Sequence, residues 1–216
     1  MRIGVLGTGM VGKAIAGKLV ALGHEVKMGS RSADNEQARE WAAAAGSSAS
    51  QGTFADAASF GELIFNCTSG AGSLDALGST SPADLAGKVL VDVAVPLDFS
   101  QGMPPSLFVA STDSLGEQIQ RAFPDARVVK TLNTMNCRVM VEPGRVPGGH
   151  QVFVAGNDDG ARQEVAQLLQ SFGWPADRII DLGDITAARA TEMYLPLWLR
   201  LMGALQTAEF NIQVVR

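Results

Sequence analysis

An α/β fold, doubly wound around a mostly parallel sheet, is predicted by three observations. Residues 1–6 read as a buried strand that runs straight into Gly7-Thr8-Gly9-Met10-Val11-Gly12 and an apolar helix. Short apolar runs then alternate with helical periodicity along the rest of the chain, the pattern of successive βαβ units. At 216 residues the chain can bury one sizeable core, or a domain with an appendage, but not two full domains.

The first turn carries the most information. Gly7 permits the tight strand-to-helix turn, Gly9 lets a pyrophosphate approach the backbone, and Gly12 lets the helix pack closely on the strand. Phosphates can then sit on the positive helix N-terminus, as in a Rossmann dinucleotide site. The helix keeps its period through Ala14, Ile15, Lys18, Leu19 and Leu22 and is capped by Gly23. The next strand, 25–29, ends in Ser30-Arg31-Ser32, where an NAD-binding unit would place Asp or Glu for the ribose 2'-hydroxyl. Hydroxyls and a guanidinium suit a 2'-phosphate, so the expected nucleotide is NADP. Glu25 stands at the opposite end of that strand and cannot serve the ribose. One charge-assisted hydrogen bond is worth roughly 1.5–3 kcal/mol, about 10- to 150-fold in affinity, so Arg31 alone can set the preference. The alternative is a solvated surface arginine.

Further along, a helix is expected over 33–45, followed by a Ser-rich connection ending near Thr53. Strands follow at 63–66, 88–95 and 127–132, with a helix over 114–123 before the last. A strand over 151–156, a helix over 158–172 and an extended piece over 178–182 complete the alternation. The organisation expected is an NADP-binding domain over 1–150 and a C-terminal region over 151–216 that continues the sheet and ends in an apolar helix, 184–205. Two stretches rich in Pro and Gly, 97–106 and 142–150, break the rhythm. The second reads as either a pocket lid or a disordered connection.

In the closing helix Ala190, Tyr194, Leu197, Leu201 and Leu205 make one apolar face, but Met193, Leu195, Trp198, Leu199 and Met202 spread apolarity around the cylinder. Pro196 should kink it. The expectation is packing against the sheet on one side and a second subunit, or a flat hydrophobic ligand, on the other, giving a homodimer. Full burial within one subunit is the alternative.

A net charge of −5 and no basic stripe give no reason to expect nucleic acid or an anionic membrane as partner. The first strand begins at Met1 without a charged leader, and no apolar stretch reaches membrane-spanning length, so a cytoplasmic location is expected. Cys67 and Cys137 lack CxxC spacing and read as free thiols, with no metal site.

Sites of open parallel sheets form beyond the carboxyl ends of the strands. Three segments stand there: Cys67-Thr68-Ser69-Gly70-Ala71-Gly72, Asp92-Val93-Ala94-Val95-Pro96 and Asn133-Thr134-Met135-Asn136-Cys137. Cys67, Thr68, Ser69 and Ala94 are expected against the cofactor, with Cys67 a small buried residue rather than a nucleophile. Asn133 and Asn136 can hold a carboxamide or the polar edge of an acceptor, unless Asn133 merely closes a turn. Proton donors for carbonyl or imine reduction are scarce. Tyr194 is followed four residues later by Trp198 rather than Lys, His24 sits at the foot of a strand, His150 falls in the flexible loop, and the direction of Lys130 is open. No catalytic acid is therefore assigned. Hydride transfer between two flat rings needs only alignment and tolerates this poverty.

The whole chain resembles the NADPH-dependent F420 reductases, also called F420-dependent NADP oxidoreductases. The resemblance rests on 7–12, on Leu22-Gly23-His24-Glu25-Val26 leading to Gly29-Ser30-Arg31, and on Val128-Val129-Lys130-Thr131-Leu132-Asn133. It rests also on Val154-Ala155-Gly156-Asn157-Asp158-Asp159 and on Glu192 with Leu195-Pro196-Leu197. It implies hydride exchange between NADP(H) and the deazaflavin F420, with Thr8, Met10 and Val11 at the phosphates, Ser30 and Arg31 at the 2'-phosphate, and Asn133 near the nicotinamide. Two places depart from the family pattern. Cys67-Thr68-Ser69-Gly70 replaces an Ile-Pro-Trp-like turn, and Asn133-Thr134-Met135-Asn136 replaces His-Thr-Ile-Pro, closer to the reductase domains of ferric reductases. A flavin acceptor, reduction of a small carbonyl or imine with Lys130 or Asp92 as donor, and a non-catalytic NADPH-binding module stay open.

Overall fold

The computed structural model describes residues 1–215; Arg216, the end of the expected C-terminal region, lies outside the described residues. Among the described residues the strands are Arg2–Leu6 (β1), Glu25–Ser30 (β2), Ala49–Thr53 (β3), Leu63–Asn66 (β4), Val89–Asp92 (β5), Leu97–Asp98 (β6), Ser106–Leu107 (β7), Arg127–Thr131 (β8), Val152–Ala155 (β9) and Ile179–Asp181 (β10). The helices are Met10–Ala21 (α1), Glu36–Ala45 (α2), Phe54–Phe60 (α3), Gly70–Gly78 (α4), Pro82–Leu85 (α5), Leu115–Ala122 (α6), Cys137–Val141 (α7), Asp159–Phe172 (α8), Ala188–Met193 (α9) and Leu195–Leu205 (α10). Eight strands form one sheet in the order β10-β9-β8-β5-β4-β1-β2-β3, parallel except where β9 runs against β8. The chain moves outward from β1 through β2 and β3, then returns to β4 on the other side of β1. The carboxyl ends of β1 and β4 thus flank the switch point where such sheets open a crevice.

Strands β4 and β5 are buried at every residue because helices cover both faces of the sheet. Ile3 and Val5 of β1 face one apolar layer, with Ile15 and Leu19 of α1 and Leu169 of α8. Leu6 turns to the other layer, with Ile64, Leu90, Ile119 and Ala188. The fold class expected from the sequence is the one observed, mostly parallel and Rossmann-like.

Several local expectations are corrected. Residues 49–53 are a strand rather than a connection, paired to β2 over five residue pairs; Ala-Ser-Gln-Gly-Thr has no apolar alternation to reveal it. A capping box opens α3: Asp56 N–H donates to Thr53 Oγ1 at 3.1 Å, and Thr53 N–H donates to Asp56 Oδ2 at 2.8 Å. Helix α4 forms despite Gly70, Gly72 and Gly78, which lower propensity enough to conceal it. The stretch 97–106 includes β6 and leads into β7, a short antiparallel hairpin.

The 142–150 loop is packed against the body of the fold. His150 is buried; its Nε2 donates toward the carbonyls of Pro143 and Val146 at 3.0 and 3.1 Å, while its Nδ1 accepts from Asn211 Nδ2 at 2.9 Å. Its ring stands edge-on to Trp174, centroids 5.1 Å apart. Trp174 is 2% exposed and donates from Nε1 to the Met140 carbonyl at 3.0 Å. The segment after α10 completes the clasp: Gln151 N–H donates to the Ile212 carbonyl at 2.9 Å, and Glu209 pairs with Arg145 at 2.8 Å.

The closing helix is two helices, broken at Tyr194 because Pro196 has no N–H for the Glu192 carbonyl. The helical phase carries through the break: Ala188, Thr191, Glu192, Leu195 and Trp198 are the buried positions, and Tyr194 keeps αR geometry. Leu195 and Trp198 turn inward while Leu197 and Leu205 stay 55% and 54% exposed, so the apolar face expected from 3.6 periodicity is not the buried one, and full burial within the subunit does not occur. Among the described residues, no helix is long and apolar enough to cross a membrane.

Truncating the Trp174 anchor tests the clasp. Trp174→Ala is expected to lower unfolding free energy by about 3–5 kcal/mol, read from urea denaturation, with Trp174→Phe recovering part of the loss.

Candidate functional site

A cleft of about 940 Å³ crosses the carboxyl ends of β2, β1 and β4. Of the residues expected from sequence, Gly7, Thr8, Gly9, Ser30, Arg31, Ser32, Cys67, Thr68 and Ser69 line it together. Gly7 has φ of +121°, and a Cβ there would stand 2.6 Å from the Cys67 carbonyl oxygen. Gly12 is buried behind the turn, where a Cβ would collide with the Gly7 carbonyl. Gly9 caps α1 and has open space where a Cβ would point. Met10 is exposed at the start of α1, and Val11 packs partly against the core. Ala94 and Asn133 are buried beyond the ends of β5 and β8, outside the cleft lining.

The cleft also takes in residues that the sequence reading missed. Asn35, Thr53, Phe54 and Ala55 close it beside Ser30, and Gly72, Asp75, Ala76 and Ser79 of the α4 region close it beside Ser69. The Thr53-x-x-Asp56 spacing was the available signal for the first group, because a capping box marks a helix start.

These residues fit NADP. The first turn of α1 has no acidic side chain and no side-chain cap, which leaves its amides and dipole for a pyrophosphate. Arg31 makes no ion pair among the described residues and borders the cleft next to Ser32. Ser30 is largely committed elsewhere, donating its hydroxyl to the Ser32 carbonyl at 2.5 Å and so shaping the turn. On the far side the Asn133 amide nitrogen and the Thr134 hydroxyl are buried without a hydrogen-bond partner among the described residues.

Beneath the β4 and β5 ends lies a buried polar cluster. Lys130 Nζ contacts Asp92 Oδ2 at 2.8 Å, Glu192 Oε1 at 2.7 Å and the Ala94 carbonyl. All three ammonium protons are thereby used. Burial pulls the Lys130 pKa down, but the carboxylates of Asp92 and Glu192 more than offset it and hold it raised. Asp92 Oδ1 accepts from Asn66 Nδ2 at 2.9 Å and from Ala94 N–H at 3.2 Å. Asn66 Oδ1 in turn accepts from the Thr68 hydroxyl at 2.7 Å, which brings the chain of contacts to the cleft wall. Glu192 accepts from the Leu115 and Gly116 amides, at 2.9 and 3.0 Å, at the start of α6. Burial and then the Asp92 charge push the Cys67 thiol up, so it stays protonated and is no nucleophile. The side-chain direction of Lys130, open in the sequence, is settled: it is sealed in the core.

Residues 2–96 match the family described as NADP oxidoreductase, coenzyme F420-dependent. A crystal structure of a candidate F420-dependent NADP-reductase from Arthrobacter sp. FB24 is 53% identical, covers 100% of both chains and superposes with a TM-score of 0.94. The F420-dependent NADP reductase of Methanothermobacter marburgensis is 28% identical over 210 residues, 93% of this chain and 92% of that one. Metalloreductase STEAP3 of Rattus norvegicus is 28% identical over 204 residues, covering 91% of this chain and 38% of that protein, so the match spans about two fifths of its length. Fold and cleft together define an NADP-dependent oxidoreductase of Rossmann type. Within that class, the chain belongs to the coenzyme F420-dependent NADP oxidoreductase family.

Two outcomes follow. Arg31→Ala should weaken NADPH binding by about 10- to 150-fold and leave NADH binding nearly unchanged, as titration calorimetry would read. Lys130→Met strands two buried carboxylates and should cost about 3–5 kcal/mol of stability, seen as a lowered thermal midpoint.

Proposed function

We propose that this protein transfers hydride between NADP(H) and a flat second ring system, the deazaflavin F420 or a flavin. The observation that carries this reading is the sequestration of Lys130. A reductase of small carbonyls or imines needs a proton donor at the reacting atom, and Lys130, with all three protons held by Asp92, Glu192 and the Ala94 carbonyl, is unavailable. Asp92 is buried and accepts hydrogen bonds on both oxygens. His150 has both ring nitrogens engaged in the 142–150 clasp, away from the cleft. Asp75 is the single carboxyl side chain on the cleft wall among the described residues.

The strand order supports a direction for the dinucleotide. Arg31 and Ser32 at the end of β2 take the 2'-phosphate, the α1 turn takes the pyrophosphate, and the nicotinamide end extends past Cys67–Ser69 toward Ala94 and Asn133. The hairpin β6–β7 follows the Ala94 turn and carries the exposed side chains of Phe99, Met103 and Phe108 nearby in sequence. Such apolar surface suits a flat ring more than a small polar carbonyl. When bound, NADPH supplies the C4 hydrogen with its electron pair to the acceptor ring, and water supplies the one accompanying proton. The chain's own contribution is alignment of the two rings.

In this reading residues 1–150 form the NADP unit and 151–216 complete the sheet and the acceptor side. The exposed Leu197 and Leu205 of α10 support a homodimer through that helix. The free thiols Cys67 and Cys137 suit the reducing cytoplasm.

Purified protein mixed with NADPH and either oxidised F420 or FMN tests the proposal. Rapid bleaching of one acceptor, matched mole for mole by NADPH loss, is expected. Tight NADPH binding with neither acceptor reduced overturns it. A monomer mass independent of concentration in sedimentation would remove the dimer.

A further inference from the structure

We propose that the Asp92–Lys130–Glu192 cluster acts as a buried anion that favours the cationic, oxidised nicotinamide over the neutral, reduced one. The inference rests on the nicotinamide end lying toward β4 and β5, and not on which acceptor is used.

The hydrogen-bond pattern fixes the charges. Asp92 meets only donors: Asn66 Nδ2, the Ala94 amide and Lys130 Nζ. Asn66 is oriented by its own oxygen, which accepts from both the hydroxyl and the amide of Thr68. Glu192 also meets only donors, Lys130 Nζ and the amides of Leu115 and Gly116. A protonated carboxyl would aim a donor at a donor in either place, so both are carboxylates. Two carboxylates and one ammonium leave one negative charge. The N-terminus of α6 offsets roughly half of it, and the neighbouring Glu117–Arg189 pair is neutral as a unit.

The cluster is sealed from water. Side chains of Lys130 and Asp92 are 0% exposed and that of Glu192 is 2% exposed, so screening by salt is weak. The cluster nevertheless lies close behind the cleft wall, because Asp92 accepts from Asn66, whose oxygen accepts from the hydroxyl of Thr68, a lining residue. Asp92 and Lys130 also hold the two sides of the Ala94 peptide turn, the amide and the carbonyl. For a ring on the order of 9 Å away, half a charge at an effective dielectric of about 20 corresponds to roughly a fivefold difference between the cationic and the neutral form. Glu192 and Asp92 are therefore positioning residues for charge, and they touch no reacting atom.

The test is the ratio of dissociation constants, Kd for NADP+ over Kd for NADPH, measured by calorimetry at fixed pH and salt. Glu192→Gln and Asp92→Asn each remove a whole charge, twice the net half, and should each raise this ratio about 20-fold. Ser73→Ala, which removes a hydroxyl bonded to Asn66 and Thr68 without changing charge, should leave it within about twofold. A merely structural role would weaken both forms equally and keep the ratio constant, which overturns the inference. The unaltered protein offers a check that needs no variant: it should bind NADP+ at least as tightly as NADPH, and clearly tighter binding of NADPH also overturns it. Failure to bind either nucleotide would instead strike the reading of the cleft itself.

Discussion

The Lys130 ammonium is the interaction on which the rest of the site depends. It joins β8 to the end of β5 through Asp92, to the turn beyond β5 through the Ala94 carbonyl, and to α9 through Glu192. Glu192 passes the constraint to the start of α6, and Asp92 passes it through Asn66 to Thr68. A buried ion cluster is not a cheap source of stability, because desolvation of each charge costs several kcal/mol. Its value is geometric. Four elements that apolar packing alone would let slide are fixed by directional contacts around the carboxyl ends of two interior strands.

The two halves of the cleft are built by different physics. On the β2 side the recognition surface is backbone and one exposed guanidinium: the Gly7 turn, the α1 amides and Arg31. Little needs to be buried there, since phosphate is met by dipoles and by a side chain that costs little to keep solvated. On the β4 side the wall is small, Cys67, Thr68 and Ser69 with the single carboxyl of Asp75 beside them, and the buried ions are held one layer deeper. A division of this kind suits a ligand with highly charged phosphates at one end and a ring whose charge changes at the other.

The cofactor half was largely legible in the sequence and the core half was not, for a physical reason. Glycines at 7, 9 and 12 and the Ser30-Arg31-Ser32 terminus act through local backbone geometry, which sequence spacing encodes directly. Asp92, Lys130 and Glu192 are separated by 38 and 62 residues, and their meeting is decided by strand order. Nothing local distinguishes a lysine in β8 that points to solvent from one that points to α9. The same holds for His150, placed in a loop by its Pro and Gly neighbours yet buried by a segment some sixty residues away. The inward side of α9 and α10 is hidden from a count of apolar residues because Thr191 and the carboxylate Glu192 share it with Ala188, Leu195 and Trp198.

Strand β3 has a consequence for how the protein behaves in a crowded solution. It is an edge strand, and an edge offers a row of unpaired amides and carbonyls on which a foreign strand can grow. Its sequence is Ala-Ser-Gln-Gly-Thr, and the opposite edge, β10, is three residues long with Asp181 held in an ion pair by Arg162. Short, polar or charged margins of this kind are poor templates for aggregation. The polarity that hides β3 from a search for apolar alternation is thus also what makes this margin a poor template for a foreign strand.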